Sequence, residues 1–473
     1  MKIAIDIDNT LINYEGLFLE ASKREGLDLP NSFKKNDIKE YIREQGTSWP
    51  EQWIRIQGHC YGDLIKNAPY FNNAIESISK WIDLGHHIQI ISHKTELSLC
   101  QNYNLHTSCL ERMDGDFSNI MFFDTLKDKV NYVNKNNFDV VIDDLSTVLN
   151  LVDSNILRLH FTEETLSQHL SFLSWTRVDE LISAIPTDIF PIENIKKVGK
   201  QTYQLTSKKQ KYFLKLFTDL TRFHNELTLL DILDKEQINH PRPLAQLSNG
   251  FIYKDTEALV IKDFSAKFCA DYTNTLRKLN TSKHKFNSAT HCVSHISHYL
   301  LNIENRLSSY SGAYLEKFTN IFDHLKSKKI TDQDIKTIIC QPDMFKDNFA
   351  YKDGELYLYD FESFGSDDPV RMIFNAIHHN GHSITLDEAT SLYLSVRELS
   401  HNHELFNYRF KTFFDCSALE WLIIIANQAE MFNDAKKLNL VHQLTDKMTY
   451  NLNNSKNVWS WQGEIYDRIL KIM

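Results

Sequence analysis

Short apolar segments dominate the hydrophobic pattern of the first third of the chain. Five of them, at residues 2–5, 87–91, 119–123, 138–142 and 156–160, have the length and continuous apolar character of buried strands. Polar and helical stretches separate these segments, which predicts an α/β domain with a parallel sheet. Residues 13–74, after the first strand, are too many for a loop and carry helical patterns at 15–25 and 51–65. We expect this insertion to form a helical layer of its own.

Polar side chains follow four of these strands at the point where each strand ends. They are Asp6, Asp8 and Thr10 after the first, Ser92 after the second, Lys127 and Lys129 after the third, and Asp143 and Asp144 after the fourth. Ligands bind at the carboxyl ends of strands in open α/β sheets, so we expect these groups to converge. Carboxylates, a hydroxyl and an ammonium group together predict a site for phosphate and a metal ion.

The order of these groups resembles the four motifs of haloacid dehalogenase (HAD) superfamily phosphatases. The resemblance implies that Asp6 is the nucleophile that forms an aspartyl phosphate, and that Asp8 is the general acid and base. The insertion at 13–74 is similar to the helical cap of that superfamily, and to deoxyribonucleotidase-type caps in particular. Its aromatic residues, Trp49, Trp53, Tyr61 and Tyr70, could either stack on a substrate or pack the core of the cap.

The same resemblance assigns ligands for the phosphoryl group and for Mg²⁺. Thr10, Ser92 and a lysine are implied to bind phosphate, and Asp6, Asp8, Asp143 and Asp144 are implied to hold the metal. Lys127 is the preferred lysine, because Val130 lies three residues later at the usual apolar position of the helix. Lys129 is the alternative.

The pattern changes after Pro186, and we place a domain boundary near Thr187. Alternating segments at 202–206 and 211–217, joined by a polar turn, predict a β-hairpin. Lys215 lies within the second segment, where an unpaired charge would be costly to bury, so a phosphate partner is plausible. A helical pattern at 222–234 carries Glu226, which could pair with this lysine, and a strand-like connection follows at 259–264.

A second acidic stretch lies further along, in a part of the chain that is otherwise mostly helical. Asp343 follows an apolar segment, Asn348 follows a short loop, and Asp360 ends an alternating strand pattern. One carboxylate can contact an acceptor hydroxyl, while an amide oxygen and a second carboxylate offer hard ligands to Mg²⁺ on nucleotide phosphates. The spacing therefore predicts a phosphoryl-transfer site.

From about residue 190 to the carboxyl terminus the chain resembles the aminoglycoside phosphotransferase and choline kinase branch of the protein-kinase-like fold. The resemblance implies that Asp343 is the catalytic aspartate, that Asn348 and Asp360 hold Mg²⁺, and that Lys215 binds ATP phosphates with Glu226 orienting it. Gln341 occupies a position that is usually histidine, and we expect it to keep a structural hydrogen bond without titrating.

Length and composition fit this organisation. The 473 residues predict two or three domains: an HAD-like phosphatase domain at 1–187, a kinase-like N-lobe at 188–265 and a helical C-lobe at 266–473. The fold class is thus an HAD Rossmann-like parallel sheet with a helical cap, followed by an α+β bilobal kinase-like domain. Seven cysteines without a C-x-x-C pair predict reduced thiols. No apolar run is long enough to span a membrane, so we expect a cytoplasmic protein.

The leading functional hypothesis is a bifunctional enzyme, an Mg²⁺-dependent small-molecule phosphatase and an ATP-dependent sugar or amino-alcohol kinase. Surface-polysaccharide or sugar metabolism is a setting suggested by family analogy. The expected partners are a small phosphate ester and a small hydroxyl acceptor. The net charge of −10 argues against a nucleic-acid partner. Two alternatives stay open: a nucleotide or nucleic-acid end-processing phosphatase-kinase, and an active phosphatase with a degenerate nucleotide-binding regulatory module.

Overall fold

A computed structural model describes the whole chain except residues 47–48, 100–101, 114–116, 118, 163–168, 173, 200, 282–291 and 328–333. The chain forms two compact units. Unit 1 comprises Met1–Leu216 with Pro243–Asp255, and unit 2 comprises Phe217–Arg242 with Thr256–Met473. The boundaries that the sequence suggests, near residues 187 and 265, stay predictions.

A six-stranded parallel sheet forms the centre of unit 1. Its strands are β1 (Lys2–Asp6), β2 (His87–His93), β3 (Ile120–Phe123), β4 (Val140–Asp143), β5 (Leu157–Phe161) and β6 (Leu170–Phe172), in the order β3-β2-β1-β4-β5-β6. All neighbouring pairs are parallel. This confirms the predicted α/β character and parallel sheet. Because β1 lies between β2 and β4, the residues that follow these three strands meet at one edge of the sheet.

Helices cover this sheet and fill the long insertion after β1. The insertion carries α1 (Leu17–Arg24), α2 (Lys35–Glu44) and α3 (Trp49–Tyr61), and the remaining helices are α4 (Ala74–Asp83), α5 (Leu105–Arg112), α6 (Leu126–Lys135), α7 (Ser146–Leu149) and α8 (Trp175–Ala184). The insertion is anchored by buried apolar side chains such as Phe18, Ile38 and Ile56, which belong to the same core cluster as Ile3 and Ile5 of β1.

A five-stranded antiparallel sheet completes unit 1. Its strands are β7 (Asn194–Lys197), β8 (Thr202–Ser207), β9 (Gln210–Leu216), β10 (Pro243–Leu247) and β11 (Gly250–Lys254), in the order β10-β11-β9-β8-β7. The β8–β9 pair is the predicted hairpin, with Tyr203 opposite Leu214. Both side chains belong to the core cluster that includes β1, so the apolar core of unit 1 extends past residue 187.

Unit 2 is mainly helical. Its helices are α9 (Leu220–Lys235), α10 (Ala266–Thr281), α11 (His298–Ser309), α12 (Leu315–Lys326), α13 (Pro369–His378), α14 (Leu386–Arg397), α15 (His403–Met431), α16 (Ala435–Asn453) and α17 (Gly463–Leu470). Unit 2 also has two small sheets. One contains β12 (Leu259–Val260), β14 (Phe349–Lys352) and β15 (Glu355–Leu358), and the other contains β13 (Ile338–Cys340) and β16 (Gly365–Asp367). The second acidic stretch lies between β13 and β16.

Buried ion pairs fix α13 and α15 to each other. Asp368 caps the first turn of α13 and accepts hydrogen bonds from Arg409 of α15, at 2.8 Å from Nε and 3.1 Å from Nη2. Arg371 of α13 donates to Asp367 at 3.0 Å and to Glu420 of α15 at 3.2 Å. Paired geometry of this kind compensates the cost of burying each charge. The segment that carries Asp360 therefore runs directly into a rigid part of unit 2.

Two further expectations concern membrane-spanning segments and the state of the cysteines. No helix in the described part of the chain is long and apolar enough to cross a membrane. The six described cysteines are free thiols, and the seventh, Cys100, lies outside the described residues.

Candidate active sites

Three carboxylates and one ammonium group meet at the edge of the parallel sheet in unit 1. Asp6 ends β1, Asp143 ends β4, and Asp144 follows it. Lys129 of α6 donates from Nζ to Asp6 Oδ1 at 2.5 Å and to Asp143 Oδ2 at 2.7 Å, with its side chain only 1% exposed. The structure thus brings together these predicted site residues.

The lysine at this cluster is Lys129, the second choice of the sequence analysis, and the preference for Lys127 is corrected. Thr125 caps α6 by accepting a hydrogen bond from the backbone N–H of Asp128. The buried face then begins with Lys129 and Val130, while Lys127 is exposed. A spacing of three residues from Val130 is compatible with the same face, but the first turn directs Lys127 outward.

The electrostatics of the cluster suit a divalent cation. Burial raises the pKa of Asp6 well above its ordinary value; Lys129 opposes the shift, and the negative charges of Asp143 and Asp144 add to it. Burial and repulsion by Asp143 raise the pKa of Asp144 to about 7, with Lys35 opposing. One oxygen from each of the three carboxylates lies within 4.8 Å of the others. A set of hard oxygen donors that repel one another fits Mg²⁺, which would bind to all three.

Asp8 faces a different set of partners. Its Oδ1 accepts hydrogen bonds from the hydroxyl of Tyr14 at 2.6 Å and from Nζ of Lys94 at 3.0 Å. Burial alone would raise the pKa of Asp8, but the charge of Lys94 and the hydrogen bonds from Tyr14 and Lys94 outweigh it and lower the pKa. Asp8 is therefore ionised in the free protein, and its carboxylate is not one of the three that cluster with one another at the sheet edge.

Thr10 and Ser92, the predicted phosphate ligands, are both buried. Thr10 Oγ1 lies 3.5 Å from Asp6 Oδ2, and its carbonyl accepts a hydrogen bond from the indole of Trp175 at 2.9 Å, which anchors the loop after β1. Ser92 Oγ, near the end of β2, has no hydrogen-bond partner among the described residues. A buried hydroxyl without a partner is costly, which favours a ligand that supplies one.

A cavity of about 290 Å³ opens above the acidic cluster, between the sheet edge and the helical insertion. Asp6, Asp8 and Lys129 line its floor, while Lys35 of α2 and Tyr61 of α3 line it from the insertion. The volume suits a small molecule. Both groups of residues belong to unit 1, so the cavity lies within one compact body.

Sequence reasoning missed several residues that complete this site. Lys94, Tyr14 and Lys35 received no role, although a lysine directly after a predicted strand end was a usable signal for Lys94. Of the aromatic residues in the insertion, Trp53 packs against Phe18 with ring centroids 5.6 Å apart. Tyr61 lines the cavity, so one aromatic side chain is available to a substrate.

The second acidic stretch forms its own site within unit 2. Asp343 lies in the loop after β13, and Asn348 follows in a short 3-10 helix, donating from Nδ2 to the carbonyl of Asp343 at 3.0 Å. Asp360 has a left-handed backbone with φ 53°. Gln341 Nε2 donates to its carbonyl at 2.6 Å. Gln341 therefore makes the structural hydrogen bond that was expected of it, and this bond holds the Asp360 backbone in place.

Asp343 borders a second cavity of about 400 Å³, which Trp421 and His379 also line. Burial and the negative charge of Asp360 raise the pKa of Asp343 to about 6. His379 Nε2 lies 3.6 Å from Asp343 Oδ1, and burial lowers the pKa of this imidazole to about 4, so the ring is neutral. An acid with a raised pKa next to a cavity is a candidate general base.

The predicted nucleotide-binding residues belong to different units. Lys215 is half-buried on β9 of unit 1, opposite Phe251 and Thr202 in the sheet. Glu226 is buried on α9 of unit 2. Their pairing and their role in nucleotide binding stay predictions.

No protein-family model and no curated protein matches the chain. Solved structures that match part of the chain include an amicoumacin kinase in complex with AMP-PNP, Ca²⁺ and Ami, at 11% identity over 60% of this chain and 93% of that one, with a TM-score of 0.43. A Plasmodium vivax ethanolamine kinase is 14% identical over 64% and 93%, with a TM-score of 0.39. An ADP-bound aminoglycoside phosphotransferase, APH(2'')-Ib, is 13% identical over 56% and 95%, with a TM-score of 0.38. At these values the function of this chain has to be argued from its own residues.

Proposed function

We propose that the chain is a bifunctional enzyme with a phosphatase site in unit 1 and a small-molecule phosphotransferase site in unit 2. The observation that carries the first half is the clustering of Asp6, Asp143 and Asp144, with Lys129 bonded to the first two, at the floor of a cavity. A nucleophilic carboxylate, a cationic neighbour and a cation-binding set of oxygens are what transfer of a phosphoryl group to aspartate requires.

In the phosphatase half, Asp6 attacks phosphorus and the ester P–O bond breaks, leaving an aspartyl phosphate. Lys129 stabilises the charge on the transferring group, and Ser92 gains the partner that its buried hydroxyl lacks. Asp8 is ionised in the free site, so it takes up a proton as the phosphate binds, an uptake that the negative charge of the phosphate favours. It donates this proton to the leaving oxygen and then accepts one from the water that hydrolyses the intermediate.

Asp6, Asp143 and Asp144 would hold Mg²⁺ in this site. The metal supplies charge neutralisation for the phosphoryl oxygens when it is bound.

In the phosphotransferase half, Asp343 accepts the proton of an acceptor hydroxyl that binds in the adjoining cavity. The raised pKa of Asp343 matches that task, since the carboxylate is basic enough to take a proton near neutral pH. Asn348 and Asp360 would hold Mg²⁺, and ATP is the proposed donor. Trp421 offers an aromatic wall that suits a sugar or an amino alcohol.

Single substitutions that retain shape separate the two halves. Asp6→Asn is expected to abolish Mg²⁺-dependent release of phosphate from an aryl phosphate while phosphoryl transfer from ATP continues. Asp343→Asn is expected to abolish phosphoryl transfer from ATP in a screen of sugars and amino alcohols, while release of phosphate from the aryl phosphate continues. Asp28 in unit 1 and Asp347 in unit 2 are exposed and provide matched Asp→Asn controls, which should leave both activities unchanged. Phosphatase activity that survives Asp6→Asn would refute the first assignment.

The same screen decides between the alternatives. Binding of ATP without phosphorylation of any metabolite would favour a regulatory module in place of the phosphotransferase. Activity confined to nucleotides or polynucleotide ends would favour end processing.

A further inference from the structure

Two lysines flank one tyrosine in the cavity above Asp6. Lys35 of α2 donates from Nζ to the hydroxyl of Tyr61 at 3.3 Å. Lys94, after β2, places its Nζ 4.5 Å from the centre of the Tyr61 ring. All three side chains line the same cavity as Asp6 and Lys129. The cavity thus has a cationic side that the phosphatase chemistry of Asp6 does not itself use.

The two flanking lysines differ in their partners. Lys94 forms an ion pair with Asp8 at 3.0 Å, and Lys129 is shared between two carboxylates. Among the residues that the structure describes, no carboxylate lies within ion-pair distance of Lys35, whose polar contact is the phenol of Tyr61. An ammonium that faces a cavity with only a neutral partner can bind an anion without first breaking an ion pair.

The charge of Lys35 also reaches the reaction centre. It is one of the groups that oppose the burial-driven rise in the pKa of Asp144. Burial raises the pKa of Tyr61 well above its ordinary value, so its hydroxyl keeps its proton and can donate a hydrogen bond. Lys35 and Tyr61 together form a cationic donor pair on the insertion side of the cavity.

We propose that this pair binds a second anionic group, so that the substrates of the unit 1 site are phosphate esters with a further carboxylate or phosphate. This inference rests on the proposed phosphatase function of that site. Lys35 is a specificity-determining residue in this scheme: it binds the part of the substrate that leaves, and Asp6 and Lys129 act on the part that is transferred.

Matched substrates test the proposal. 3-Phosphoglycerate and glycerol 3-phosphate differ by a carboxylate in place of a hydroxymethyl group, and fructose 1,6-bisphosphate and fructose 6-phosphate differ by a second phosphate. The wild-type protein with Mg²⁺ is expected to prefer one of the two anion-bearing substrates by roughly ten-fold in kcat/KM, the size of one charge-assisted hydrogen bond. The pair that shows the preference identifies the anion as carboxylate or phosphate.

Lys35→Gln should abolish this preference, and the loss should appear mainly as a higher KM for the anion-bearing substrate. Lys39→Gln, an exposed lysine one turn further along α2, is the matched control and should preserve the preference. A wild-type protein that hydrolyses all four substrates without preference, or a preference that Lys35→Gln retains, would overturn the inference and leave the phosphatase proposal standing.

Binding to the Asp6→Asn protein, measured by titration calorimetry, supplies a readout that does not depend on turnover. Roughly ten-fold tighter binding of an anion-bearing compound than of its partner, lost in Asp6→Asn/Lys35→Gln, supports the inference even if the wild-type protein hydrolyses none of the four. If the wild-type protein also releases no phosphate from an aryl phosphate, the proposed phosphatase function fails and the anion site stands. Equal binding of both members of each pair counts against the anion site.

Discussion

The ammonium group of Lys129 lies 2.5 Å from Oδ1 of Asp6, the proposed nucleophile, with almost no exposure to solvent. The contact is one half of a bridge, because the same Nζ lies 2.7 Å from Asp143 Oδ2. Without this cation the ends of β1 and β4 would bring carboxylates together in a buried site with nothing to offset their repulsion. Lys129 therefore stabilises this edge of the sheet.

The first prediction concerns that bridge. Lys129→Met keeps most of the side-chain volume but removes the charge, leaving buried carboxylates without their partner. In the absence of Mg²⁺ we expect unit 1 to lose about 3 kcal/mol or more in the free energy of unfolding, the usual cost of breaking a buried pair from one side. Excess Mg²⁺ should stabilise the variant more than the wild type, because the metal then provides the missing positive charge. Urea denaturation with and without the metal measures both effects.

Lys127→Met is the matched control on the same helix. Lys127 is exposed, so the change in unfolding free energy should stay within about 0.5 kcal/mol and its Mg²⁺ dependence should follow that of the wild type. Equal effects of the two substitutions would contradict the assignment of Lys129 to the cluster.

The second prediction concerns Asp343 and pH. Its folded-state pKa is raised from 3.8 to about 6, so the stabilising contribution of its protonated form is fully present below about pH 4 and is lost as pH rises through 6. Asp343→Asn resembles the protonated form at every pH. In chelator-treated protein the variant should therefore match the wild type near pH 4 and exceed it in stability at pH 8, while losing phosphoryl transfer.

Denaturation curves at pH 4.5, 6 and 8 provide the comparison for Asp343→Asn. Asp347→Asn, at an exposed position four residues away, should not reproduce the gain at pH 8. A variant less stable than the wild type at pH 8 would show that the ionised carboxylate supports the fold.

The sequence predicted some residues of the unit 1 site and missed others, because some sequence signals depend only on the strand pattern and others depend on tertiary packing. Asp6, Ser92 and Asp143 were found because parallel strands bring their carboxyl ends to one edge, a rule that needs only the strand pattern. Lys129 was placed second because spacing from Val130 does not show which of the two lysines faces the sheet, and only packing of α6 buries Lys129 and leaves Lys127 exposed. Lys35 was missed because only tertiary packing of the insertion brings it to the cavity.

The unit 2 site shows the same limit. The order Asp343, Asn348, Asp360 was visible in the chain, as was the structural role of Gln341, since both depend on residues close in sequence. The partners Trp421 and His379 were not visible, because they lie on elements far along the chain that meet Asp343 only in the folded unit. Local spacing predicts ligands, whereas the walls of a cavity depend on packing.

The last prediction tests whether Ser92 binds phosphate. Because its buried hydroxyl has no partner in the described part of the free protein, Ser92→Ala removes a costly group and should raise the free energy of unfolding by about 1 kcal/mol. Loss of a hydrogen bond to a charged phosphate should lower kcat/KM for an aryl phosphate by roughly ten- to a hundred-fold, and raise the inhibition constant of inorganic phosphate similarly.

Ser77→Ala is the control: this buried hydroxyl donates to the carbonyl of Asn73 at 2.6 Å, so its removal should cost about 1 kcal/mol of stability without changing activity. If Ser92→Ala destabilises the fold and leaves phosphate inhibition unchanged, the hydroxyl is structural and the phosphate ligand must be sought elsewhere at the strand ends.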